Sequence, residues 1–175
     1  MPALYAYLIT SLPMLDFGRP APISGEDFLE LCQRLIPQDD FAVLKNLPEA
    51  GQYSNFQSRS ETIKRWVVFD TALRNELVKV RASRRHIDPT KYLRPLDYLS
   101  PAFTQAALGA QRNPSPQEAA RLLDHERWDF LEELSFGHYF DLDFLIVYAY
   151  KLKILRRWEN ARRADKKALL EGVLA

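Results

Sequence analysis

The sequence predicts a mainly α fold: an antiparallel helical assembly built on two long helices, at about residues 60–85 and 140–172. Three observations lead there. Residues 61–85 run for about seven turns without one Gly or Pro. Residues 140–171 are likewise unbroken, apolar nearly all round at first and charged later. Finally, Ser24, Ser60 and Ser115 each stand directly before a helical pattern, where a hydroxyl accepts from a backbone N–H left without a partner in the first turn.

The elements follow in order. Residues 4–12, "LYAYLITSL", are aromatic and β-branched but too short to separate strand from helix before Pro13 closes them. A loop carrying Gly18, Pro20 and Pro22 leads to Ser24, and Asp27 three positions on completes a capping-box-like pattern for a helix over 25–36. Pro37 and the acidic Asp39 and Asp40 open a second short helix that Pro48 ends. Polar residues 49–59 connect to Ser60 and the first long helix. On it Ile63, Trp66, Leu73, Leu77 and Val80 form a stripe, interrupted by Asp70, so one side should pack and the other stay wet. A loop with three prolines covers 86–101, a helix is expected over 102–109, and another starts at Ser115 with Pro116 in its first turn and ends at Gly137.

A chain of 175 residues with 47% hydrophobic and 27% charged residues has the makeup of one folded domain, 1–175. Its net charge of +1 supplies no global attraction to polyanions, so any such contact needs a local patch. Cys32 lies at helical spacing with Phe28, Leu31 and Leu35 and reads as a small buried hydrophobe. The amino-terminal residues lack the basic leader and cleavage site of a signal peptide, so the expected location is the cytoplasm. The longest apolar run, "FLIVYAY", is far below the roughly 20 residues a bilayer span requires, and no direct membrane insertion is expected.

The strongest local feature is "YAYKLKILRRWENARRADKK". Between Lys151 and Lys167 eight basic side chains face two acidic ones, a net +6. Its candidate partner-binding residues are Arg156, Arg157, Trp158, Arg162, Arg163, Lys166 and Lys167. A nucleic-acid interface would need these charges to converge on phosphates with aromatics for stacking, and only Trp158 is near. Nucleic-acid binding through this helix is therefore the alternative reading, and a solvated or protein-binding helix end is preferred. The acidic stretch "DHERWDFLEEL" lies one turn away and is placed to pair with the basic helix.

No catalytic constellation is present. There is no nucleophile elbow, P-loop or dinucleotide fingerprint. His125 and Asp129 share a helix face with Glu118 and Glu132, but Leu122 interrupts it and the Glu-x-x-His pairs of di-iron bundles are missing, so no metal or cofactor is expected. Asp70 has an ordinary partner at i+4 in Arg74. Trp66, Trp128 and Trp158 sit at helical spacings as core anchors. The expected role is non-enzymatic.

Taken together, "LYAYLITSLPMLDFGRPAPISGEDFLELC", "ERWDFLEEL" and "FDLDFLIVYAYKLKILRRW" resemble a family of bacterial proteins encoded among V-type ATPase genes. That family is similar to a reduced form of the V-type ATPase component named C, or d in eukaryotes, a helical funnel that seats the central stalk on the membrane ring. The chain is too short for the complete three-fold funnel. The resemblance implies an all-helical, non-catalytic accessory or central-stalk-like protein with V-type ATPase subunits as partners, held at the inner membrane only through the complex. It also implies that the basic helix end presents its arginines to an acidic partner protein.

Overall fold

The structure, a computed structural model, describes residues 2–53, 57–96 and 101–174; the side chains at 2–3, 101–102 and 165–174 are not among those described. Seven α-helices occur among the described residues, and no strand. They are α1 (Pro2–Ser11), α2 (Gly25–Leu35), α3 (Gln38–Lys45), α4 (Glu61–Arg85), α5 (Pro101–Arg112), α6 (Pro116–Ser135) and α7 (Leu142–Leu174). The mainly α expectation holds, and both long helices lie where the pattern put them. No helix of the described residues is long and apolar enough to cross a membrane. The chain forms two compact units: Met1–Leu47 with Glu132–Ala175, and Pro48–Leu131. The connector at 49–59 and the loop at 86–101 fall partly on residues 54–56 and 97–100, outside the described residues.

In the first unit, the ambiguous amino-terminal stretch is helix α1. It packs against α2, which in turn packs against α3, and both α2 and α3 meet α7. Ser24 caps α2 as expected, its Oγ accepting from the Asp27 N–H at 3.0 Å while donating to Asp27 Oδ2 at 2.6 Å. Leu8, Phe28, Cys32, Leu145, Ile146 and Leu155 are fully buried. Burial pushes the Cys32 thiol up to about 12, so it stays protonated and inert at neutral pH. Tyr5 donates to Asp40 Oδ2 at 2.5 Å and anchors α1 on α3; burial and that carboxylate both raise its pKa.

In the second unit, α4 is enclosed more broadly than its stripe suggests. Phe69, Asp70, Thr71, Ala72 and Leu73 are five consecutive buried residues, which no one-sided helix would show. The cause is packing on more than one flank. Phe69 stacks on Phe130 of α6 at 3.9 Å between centroids and meets Phe103 of α5 edge-on at 5.1 Å. Glu76, also buried, accepts from Thr104 of α5 at 3.0 Å and from Lys79 at 2.6 Å. Trp66 and Trp128 are buried as anchors.

The centre of this unit is a buried ion cluster. Asp70 is 2% exposed and accepts from Arg127 Nε at 2.7 Å, from Arg74 Nε at 2.7 Å and from the Tyr53 hydroxyl at 3.1 Å. Arg127 also donates to the fully buried Asp124 at 3.0 Å. Burial by itself would raise the Asp70 pKa, but the two guanidiniums outweigh it and hold the carboxyl below its ordinary value. Arg127 is raised in turn: burial opposes its charge, and Asp70 and Asp124 overcome that opposition.

Two consequences can be measured. Arg127→Met leaves two carboxylates buried without their main counter-charge and should cost about 3–5 kcal/mol in urea denaturation at neutral pH. The pH dependence has a fixed sign. Since the folded Asp70 pKa lies below the unfolded value of about 3.9, its contribution is full above that pH and is lost as pH falls through the folded pKa. The stability gap between wild type and Asp70→Asn should therefore be constant from pH 5 to 7 and shrink below about pH 4.

Candidate partner-binding surface

α7 changes character along its length. Its first turn is capped by Asp141, whose Oδ1 accepts from the Phe144 N–H at 3.0 Å. From Leu145 to Leu155 every side chain except Lys151 and Lys153 is buried. The two exceptions show how charge is tolerated there. Lys151 donates to Glu132 Oε1 of α6 at 2.7 Å, one link of the pairing expected between the acidic stretch and the basic helix. Lys153 extends over the Tyr150 ring at 5.8 Å, within cation–π reach.

Several contacts fix this root. Phe28 of α2 stacks on Tyr148 with centroids 5.2 Å apart. The Tyr148 hydroxyl donates to the Pro13 carbonyl at 2.8 Å, and burial raises its pKa to about 12. One turn beyond the root, Glu159 accepts from the Ala21 N–H at 2.8 Å and ties the loop before α2 to the helix. One of the two carboxylates in the basic segment is thus directed at backbone.

Beyond Leu155 the side chains emerge. Arg156, Arg157 and Arg163 are exposed, and Trp158 and Arg162 are half-buried. Among the described residues, Arg156, Arg162 and Arg163 form no ion pair with a carboxylate. Arg162 donates from Nε to the Trp158 carbonyl at 3.3 Å, one turn back. Arg157 has an interaction of its own. Arg156 lies back over α2, its guanidinium filling the place a Cβ at Gly25 would take. The backbone at 166 and 167 is helical, but the side chains of Lys166 and Lys167 lie outside those described.

His125 Nδ1 and Asp129 Oδ2 are 2.9 Å apart and both exposed, a surface pair. Among the described residues, the ligand atoms that could meet at one cation belong to His138, Asp141 and Asp143, all within 4.8 Å, a group the sequence pattern did not single out. Asp141 is already the cap of α7 and the 2.6 Å partner of His138. The Asp70–Arg127–Asp124 cluster was equally hidden in the sequence, since Asp70 and Arg127 are 57 positions apart.

Compared with models of known protein families, with curated proteins and with solved structures, the chain matches none.

Gly25→Ala reports on how firmly the fold holds Arg156. The atoms in the way are the far end of a flexible side chain, and Ala is the better helix former, so stability should change by less than about 1 kcal/mol while Arg156 swings aside. Urea denaturation checks this; a loss above about 2 kcal/mol would make Arg156 a structural element of the α2–α7 contact.

Proposed function

We propose that the protein is a non-catalytic accessory or central-stalk-like subunit of a V-type rotary ATPase, acting through protein–protein contacts at the basic end of α7. The resemblance of its amino-terminal and α6–α7 segments to the family encoded among V-type ATPase genes supplies the identity of the partner. One observation carries the mode of contact: at Arg156 a single unbroken helix passes from buried to exposed, and Arg156, Arg162 and Arg163 form no ion pair with a carboxylate among the described residues. A cationic surface on a rigid rod suits an acidic partner protein, because complementary charge steers encounter and fixes register. The protein would then reach the inner membrane through the complex.

Co-purification from native-host membranes tests this reading. Wild-type protein should retain V-type ATPase subunits. A variant with Arg156→Glu, Arg157→Glu, Arg162→Glu and Arg163→Glu should retain at least about tenfold less, since like charges across an interface repel. Unchanged association would remove the basic face from the account; absence of V-type subunits with wild type would remove the ATPase.

A further inference from the structure

The second unit contains a groove of about 640 Å³ that has no part in the α7 surface. That volume falls within the roughly 300–1,000 Å³ range of small-molecule sites. One wall is the last part of α4, where Leu77, Arg81, Arg84 and Arg85 lie at i, i+4, i+7 and i+8. Those steps put them on one helix face, apolar at its start and cationic at its end. α5 contributes Ala110 and Gln111, and the first half of α6 contributes Pro116, Ala119, Ala120 and Leu123, which recur at i, i+3, i+4 and i+7. Ala119 and Ala120 stand where larger apolar residues would fill the space between the helices.

The charge in this groove is one-sided. Arg81, Arg84 and Arg85 are all exposed, none forms an ion pair among the described residues, and no carboxylate lines the groove. Arg84 and Arg85 fall in the last turn of α4, where the helix dipole favours cations. Arg81 lies a turn earlier, and the dipole explains neither it nor the cavity. The amino-terminal end of α6 adds its positive dipole end: Ser115 Oγ accepts from the Glu118 N–H at 3.3 Å, and Pro116, its first residue, lines the groove.

Arginine forks match phosphate and carboxylate geometry alike. The number of cations decides between them. One carboxylate would leave two of the three arginines lining the groove without a counter-charge, whereas a phosphomonoester brings about −1.5 to −2 and three acceptor oxygens. We propose that this groove binds a soluble phosphomonoester carrying a short apolar chain, with the phosphate on Arg81, Arg84 and Arg85 and the chain over Leu77, Ala119, Ala120 and Leu123. The chain makes the phosphate selective: inorganic phosphate meets the arginines but leaves the apolar half empty.

Isothermal titration of the full chain with octyl phosphate, below its micelle concentration, tests the assignment. Binding should occur at one per chain, with inorganic phosphate and octanoate each at least about tenfold weaker. Arg81→Gln, Arg84→Gln and Arg85→Gln together should weaken octyl phosphate at least about tenfold. Ala120→Phe, at an exposed position that cannot unseat the core, should weaken octyl phosphate and leave inorganic phosphate unchanged. Circular dichroism melts of both variants confirm that they fold. No binding of octyl phosphate, equal binding of octanoate, or binding that either variant retains in full would overturn the proposal. None of these results bears on the α7 surface.

Discussion

The burial of about three turns of α7, from Leu145 to Leu155, is the constraint from which the first unit follows. Nine of the eleven residues from Leu145 to Leu155 are buried, which covers the whole circumference of a helix and not one stripe. Such a segment is stable only when other elements enclose it. α2 and α3 supply that enclosure through Phe28 and Cys32 on one and Phe41 and Leu44 on the other, and α1 is fastened to α3 through Tyr5 and Asp40. The same constraint explains the placing of charge. Lys151 and Lys153 each find a local partner, and from Arg156 to Ala164 the side chains are exposed or half-buried, so charge there stays in reach of water. A rooted rod with a cationic continuation is thus one consequence of an apolar segment that must be surrounded and a charged one that must not be.

The second unit rests on a different solution to burial. Two carboxylates, Asp70 and Asp124, and two guanidiniums, Arg127 and Arg74, balance in formal charge around α4 and α6. Their desolvation opposes folding, and mutual attraction with near-complete hydrogen bonding offsets it. What such a cluster does supply is geometry. Arg127 reaches both acids only when α6 lies at one height and rotation against α4, and the parallel stack of Phe69 on Phe130 sits at the next turn in the same register. The groove near Arg81 lies farther along these two helices and is completed by Ala110 and Gln111 of α5, with alanines where larger side chains would fill it.

Much of this was legible in the sequence, for local reasons. Helix starts at Ser24, Ser60 and Ser115 were readable because a cap is decided by residues three positions apart, and each hydroxyl makes the expected bond. The buried-then-charged course of α7 was readable because burial follows composition when a helix is apolar all round. Residues 4–12 were ambiguous because their composition suits strand or helix; tertiary packing on α2 decides for helix. Asp70 looked ordinary because Arg74 is visible at i+4, while Arg127 comes from a stretch that reads as a solvated acidic run. The groove was invisible for a similar reason. "RASRR" reads as a basic helix end, and only the approach of α5 and α6 gives those arginines an apolar lining.

The central claim is that α7 is one rod, enclosed from Leu145 to Leu155 and exposed or half-buried from Arg156 to Ala164. Amide hydrogen exchange along α7 tests it most directly. Amides of 145–155 should exchange only through global unfolding, with protection falling steeply after Arg157 and, on the proposed association, rising again over 158–164 when V-type ATPase subunits are added. Uniform protection along the helix, or a root that exchanges as fast as the basic end, would contradict the account.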